Sequence, residues 1–380
     1  MFPFLLTTLL LSFSRALGFD ANSKANIAVY WGQSSAGSQE SLASYCHSPD
    51  IDVVLLSFMH SFPQNVSLDF TSACSQSFSS GLLHCEQIGD DIKTCQTLGK
   101  KVMLSLGGSA GSYGFESDSE AVDFATDLWN TFGNGHSSER PFNDAVIDGF
   151  DFDIENQKPG GYVALAKSLR GHFASEDKKY YLSASPQCFY PDASVGELLE
   201  NVDMDFIFIQ FYNNACNVDS QFNWNTWSNF VTTTPNRNAK LYLGLPGSSS
   251  AAASGYISDP AKIQSVIESI GQGENFGGIM LWDASQSFTN KVGGKSYVSQ
   301  MKNIVGTNTA GINFEHEAND SGSSLSSQAT TSSSSSVLFR TSLSSTSTSG
   351  GSVTGSSLLA MVTLKNVALG LLSAVVREGG

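Results

Sequence analysis

The chain has 380 residues, of which 41% are hydrophobic, 25 are Phe and only 14% are charged. That is enough apolar material for a sizeable core in one large domain or two small ones. A formal net charge of −15 and a pI near 4.7 repel nucleic acid and anionic lipid, leaving neutral or cationic partners, of which a polysaccharide is one. The same acidity also serves simply to keep a secreted protein soluble.

The first stretch, residues 1–18, has the short apolar core and small-residue end of a secretory leader, although no basic residue precedes its apolar run. Removal near Ala16 or Gly18 would leave a chain starting around Phe19. Secretion predicts that Cys46, Cys74, Cys85, Cys95, Cys188 and Cys216 are paired, and six cysteines leave fifteen pairings open. Their scatter, without CxxC or a neighbouring His, argues against zinc, and no metal or cofactor is expected. Asn65-Val-Ser67 and Asn319-Asp-Ser321 are candidate glycosylation acceptors.

From residue 24 to 310, short continuous apolar runs recur: Ile27–Trp31, Val53–Phe58, Lys101–Leu106, the run inside Val146–Glu155, Tyr180–Ala184, Phe206–Tyr212, Lys240–Gly244 and Gly278–Trp282. Runs of this length suit strands buried on both faces, as in a parallel sheet. Helical spacing of apolar residues appears in Ser119–Trp129, Tyr162–Arg170 and Pro260–Ile270, the last with Asp259 as cap and Pro260 at the first turn. Helices after the second, fifth and sixth strands are less distinct. Eight strands alternating with helices predict a (β/α)₈ barrel of the α/β class, with an open doubly wound sheet as the alternative. Gly107-Gly108 lacks the rest of a phosphate-binding pattern. In a barrel, the strand ends Tyr30–Gln33, His60, Ser105–Gly108, Glu155, Gln187, Gln210–Asn213, Pro246 and Trp282-Asp283 gather at one rim, where such folds keep their sites.

Val146-Ile-Asp-Gly-Phe-Asp-Phe-Asp-Ile-Glu155 stands out among the strands. A period of two puts Asp151, Asp153 and Glu155 on one face and Phe150, Phe152 and Ile154 on the other. Carboxyls roughly 6.6 Å apart along a core strand repel one another and lose hydration. At least one should then hold a proton near neutrality, which is the condition for a general acid. Asp148, three residues before Asp151, points to the opposite face and is read as structural.

Residues 319–357 are mostly Ser and Thr with scattered Gly, too polar to bury a core, and are expected to form a disordered, O-glycosylated stalk. An apolar stretch at 358–380 follows small residues at Ser349–Ser352, roughly as a glycosylphosphatidylinositol (GPI) anchor signal requires. Lys365 and Asn366 interrupt it, and Arg377–Gly380 extend beyond it. A plain hydrophobic tail and a single membrane span are the other readings.

Several of these stretches resemble one known family. Asp148–Glu155 matches the DxxDxDxE signature of family 18 glycoside hydrolases, the chitinases, and Ser105–Gly108 matches their SxGG motif. Tyr30–Gln33, Gln210–Asn214 and Gly277–Asp283 are similar to the plant-type (class III) branch, also found in fungal wall chitinases. The likeness runs in the same order from about Asn26 to Val305. It implies a (β/α)₈ barrel that cleaves β-1,4 bonds between N-acetylglucosamine units with retention; endo action is the expectation, with end-wise action as the alternative.

The resemblance also implies roles. Glu155 would be the acid and later the base, and Asp153 would hold the substrate's amide N–H. Asp151 would lie deeper and share a proton with Asp153, and Tyr212 would donate to the acetamido oxygen. Tyr30, Gln33, Gly107, Gly108, Gln210, Asn213 and Trp282 would bind sugar, with Trp282 beneath it. The family's cysteine pattern would pair Cys46 with Cys95, Cys74 with Cys85 and Cys188 with Cys216. His60 departs from the pattern, standing where plant-type members tend to carry a sugar-contacting Asn. The expected partner is chitin or chitooligosaccharides, acted on by a monomer. The expected place is outside the cell, in the wall or on the outer face of the plasma membrane through a lipid anchor. Three other readings fit part of the same residues: a sugar-binding barrel without turnover, a metal-dependent hydrolase lacking a nearby His, and a structural wall protein.

Overall fold

The structure, a computed structural model, describes residues 19–320, with side chains as far as 308. The expected leader, the side chain of Asn319, the stalk beyond residue 320 and the hydrophobic segment at 358–380 lie outside the described residues.

Eight parallel strands close into a barrel: β1 (Asn26–Trp31), β2 (Val53–Phe62), β3 (Lys101–Gly108), β4 (Gly149–Ile154), β5 (Tyr181–Ala184), β6 (Phe206–Gln210), β7 (Lys240–Pro246) and β8 (Phe276–Trp282). Each pairs with its sequence neighbours, and β1 pairs with β8 to close the ring. The expected barrel is thus the observed one. The helices that follow the strands are α1 (Leu42–Cys46), α2 (Glu86–Thr97), α3 (Asp118–Phe132), α4 (Tyr162–Phe173), α5 (Gly196–Asn201), α6 (Trp224–Thr232), α7 (Pro260–Ile270), α8 (Ala284–Thr289) and α9 (Tyr297–Asp320). The last runs past the expected end of the barrel at residue 310. Among the described residues, no helix is long and apolar enough to cross a membrane.

Period-two alternation sorts the strand residues into two layers. Ile27, Val29, Val54, Leu56, Phe150 and Phe152 face the helices in one apolar cluster. Ala28, Tyr30, Val53, Leu55, Met103, Phe206, Phe208 and Tyr242 fill the barrel interior in a second. Both faces are dry, which is why these strands read as continuous apolar runs. Phe19 packs edge-on against Tyr181 and Phe206, each at 5.8 Å, and its N–H donates to Gly99 O at 3.0 Å.

The interior turns polar toward the C-terminal ends of the strands. Ser105, Asp151 and Ser183 are register partners across β3, β4 and β5, so the acidic row of β4 points into the barrel. Above them β2 extends to Phe62 and pairs with two short strands, Ser67–Leu68 and Ser112–Tyr113, which build up the rim on that side.

Three disulfides join Cys46 to Cys95, Cys74 to Cys85 and Cys188 to Cys216. The first ties α1 to α2. The third ties the loop after β5 to the loop after β6.

Candidate active site

Asp151, the deepest of the three acids, is fully buried. It accepts hydrogen bonds from Ser105 Oγ (2.7 Å), Tyr30 OH (3.0 Å), Ser183 Oγ (2.6 Å) and Ser185 Oγ (3.1 Å). Burial raises its carboxyl above the usual range and these four hydroxyls oppose the rise. Asp153 comes next along the strand, 4% exposed, and accepts from Gln210 Nε2 at 2.9 Å. Burial pushes it well above the ordinary carboxylate range, and the charges of Glu155, Asp151 and Asp192 add to this. Glu155 sits just past the strand end. Burial first, and then the charge of Asp192, push its carboxyl up to about 7.

Asp153 and Glu155 line a rim cavity of about 200 Å³ together with Phe58, Ser109, Gln210, Tyr212, Asn213, Ala251 and Trp282. The Trp282 ring stacks on Phe58 at 5.8 Å and meets the edge of Tyr30 at 5.4 Å, which fixes the apolar side of the cavity. The Tyr212 phenol is pushed well above its ordinary value by burial and then by the Asp153 and Glu155 charges, so it stays protonated and available as a donor. Asn213 has φ of 57° and its Oδ1 accepts from Ala253 N at 2.8 Å. That bond fixes the loop that brings Ala251 to the cavity.

The remaining expected sugar-binding residues lie one layer away. Tyr30 is 1% exposed and its hydroxyl is committed to Asp151 and to Ser185 Oγ at 2.6 Å. Gln33 donates to the carbonyls of Ser57 (2.9 Å) and Asp69 (3.1 Å). Gly107, at φ of 109°, lies so close to β4 that a Cβ there would fall 2.3 Å from Asp153 O. A Cβ on Gly108 would meet the Phe58 ring at 3.0 Å. Asp148 stands just before β4 and does not line the cavity. It accepts from Val102 N and Gln96 Nε2 and pairs with Lys178 Nζ at 3.1 Å. Asn65 is exposed in the loop after β2.

Four residues at the site are not singled out by the sequence. Ser183 and Ser185 were legible in principle, since two serines at period two in a buried strand mark its inward face. Asp192 was not, because only the fold brings the loop after β5 beside Glu155. Tyr113 is likewise placed by the rim strands: its hydroxyl donates to Gly108 O (2.6 Å) and accepts from the Glu155 N–H (3.1 Å).

A closed (β/α)₈ barrel, with an inward acidic row ending at a rim cavity lined by Trp282 and Tyr212, has the parts that a glycoside hydrolase requires. The family model for glycosyl hydrolases family 18 matches residues 26–258, and the chain belongs to that family. The endochitinase of Saccharomyces cerevisiae is 61% identical over 289 residues, 76% of this chain and 51% of that protein. Chitinase 1 of Candida albicans is 57% identical over 265 residues, 70% of this chain and 56% of that protein. The chain therefore spans about half the length of the curated relatives it matches. Among solved structures, a chitinase from Ipomoea carnea is 32% identical with a TM-score of 0.64, covering 73% of this chain and 99% of that one. A xylanase and alpha-amylase inhibitor protein from Scadoxus multiflorus is 34% identical with a TM-score of 0.63, covering 74% and 98%.

Proposed function

We propose that the chain is an endo-acting chitinase that hydrolyses β-1,4 bonds between N-acetylglucosamine units with retention of configuration. The observation that carries this reading is one cavity holding Asp153, Glu155, Tyr212 and Trp282, with the Glu155 carboxyl raised to about 7. An acid of that strength is still protonated in weakly acidic medium and can give its proton to a leaving oxygen.

Glu155 protonates the glycosidic oxygen as the bond to the anomeric carbon breaks. The substrate's own N-acetyl carbonyl oxygen attacks that carbon, so no enzyme carboxylate is needed as nucleophile. Asp153, with the proton it shares passed to Asp151, accepts the amide N–H and balances the positive charge of the cyclic oxazolinium ion. Tyr212 donates to the acetamido oxygen, which holds it on the line of attack, and Trp282 supports the apolar face of the sugar. Glu155, now a carboxylate, then takes a proton from the water that opens the ring. Asp151 acts from below through its charge and its hydroxyl cradle, tuning Asp153. The relatives named as chitinases support the substrate class. The leader-like start and the Ser/Thr-rich end support export to the wall, with a lipid anchor at residues 358–380.

Glu155→Gln tests the assignment. Turnover of chitin oligomers should fall by at least about 10³-fold, with binding by calorimetry kept within a few-fold. Turnover that survives the change, or binding lost together with it, contradicts the assignment.

A further inference from the structure

The Glu155 carboxylate has two oxygens, and the chain treats them differently. Gln187 Nε2 donates to Oε2 at 3.0 Å. The direction of that amide is fixed from outside the site. The Tyr212 carbonyl can only accept, so Asn214 must present Nδ2 to it (3.0 Å). The same Nδ2 also donates to Gln187 Oε1 at 2.5 Å, which turns Gln187 Nε2 toward Glu155. The Gln187 backbone is pinned as well. Its N–H donates to Asp192 Oδ2 at 2.9 Å, while Ser194 N and Val195 N hold Asp192 Oδ1 at 2.8 and 2.7 Å. The Cys188–Cys216 disulfide joins the two loops that carry Gln187 and Asn214.

We propose that Gln187, oriented by Asn214 and anchored by Asp192, is a positioning residue that occupies Oε2 of Glu155 and so leaves the proton to Oε1, the oxygen free to face the leaving group. A carboxylic acid whose proton sat on Oε2 would face the Nε2 hydrogens and lose that bond. The relay therefore sets the direction of proton delivery and holds the side chain in one rotamer. This rests on Glu155 being the acid.

The two arms of the relay act on Glu155 with opposite sign. Gln187 Nε2 favours the carboxylate, because a donor stabilises the charged form; the Asp192 charge disfavours it. The other titratable groups near Glu155 among the described residues are Asp153 on its own strand, Tyr113 on the rim segment after β3 and Tyr212 after β6.

The test is the pH profile of kcat on a soluble chitin oligomer for the wild type, Gln187→Leu and Asn214→Leu. Gln187→Leu should move the alkaline limb up by about half a unit or more and lower kcat at least about tenfold, with KM within about threefold. Asn214→Leu frees Gln187 and leaves the Asp192 charge in place, so it should move the limb in the same direction and lower kcat while sparing KM. A limb that stays at the wild-type position in both variants, or an unchanged kcat, overturns the proposal. Failure of the underlying assignment shows separately, as Glu155→Gln retaining turnover.

Discussion

At the scale of single residues, the acids of β4 place an opposing demand on stability. Glu155 is raised from an ordinary 4.5 to about 7, chiefly by burial. The folded state then holds its proton more tightly than the unfolded chain, so stability is lost as pH rises from about 4.5 to about 7. At ~1.4 kcal/mol per unit this amounts to about 3.5 kcal/mol at most. Glu155→Gln removes the titration. In urea unfolding, the variant should exceed the wild type by up to about 3.5 kcal/mol at pH 8 and match it near pH 4. Equal stability at both pH values would contradict the burial of this acid. Asp151 and Asp153 are raised in the same direction, so wild-type stability should itself decline from weak acid toward neutral pH. The row was legible in the sequence because period two isolates three acids on one face. Which acid each partner touches was not: the period marks Ser183 and Ser185 as inward, but only the fold brings them to Asp151 and Asp192 to Glu155.

At the scale of elements, Gly107 shows why the end of β3 carries glycines. Its φ of 109° and the 2.3 Å approach to Asp153 O leave no room for a side chain. Gly107→Ala should cost more than about 2 kcal/mol in chemical unfolding and lower kcat, because relief of the clash must displace the β4 end that carries Asp153 and Glu155. A variant with wild-type stability and kcat would refute that close contact. The long elements were readable for simple reasons. Strands buried on both faces gave unbroken apolar runs, and α7 was placed to the residue by Asp259, whose side chain accepts from Ala261 N, with Pro260 behind it. Helices α1, α5 and α8 have five or six residues, too few for a 3.6-residue period to repeat. In α2, Ile88, Ile92 and Cys95 keep the period, but Gly89 and the buried Asp91 break its contrast. Asp91 accepts from Gln87 one turn earlier on its own helix and from Ala43 N on α1, a tertiary contact that no local pattern announces.

At the scale of the whole molecule, the disulfides close loops of different length. The sequence separations are 49, 28 and 11 for Cys46–Cys95, Cys188–Cys216 and Cys74–Cys85. Loop entropy ranks their removal at about 4, 3.5 and 3 kcal/mol. Paired Cys→Ser variants unfolded in guanidinium should follow that order, and Cys74–Cys85 proving the costliest would show that strain or local packing dominates instead. The barrel itself was legible from the count and spacing of apolar runs. The rim was not: the short strands at Ser67–Leu68 and Ser112–Tyr113 pair with the extended end of β2 and have two residues each, too few to carry a period of their own.

The proposed mechanism depends on an N-acetyl group that attacks its own anomeric carbon while Glu155 supplies the proton. The most direct measurement is the anomeric form of the first-formed reducing end when a soluble chitin oligomer is cleaved, followed by proton NMR before mutarotation, alongside a fully de-N-acetylated oligomer of the same length. That mechanism should give a β-anomer as first product and no cleavage of the de-N-acetylated oligomer. An α-anomer, or equal cleavage of both oligomers, would contradict it.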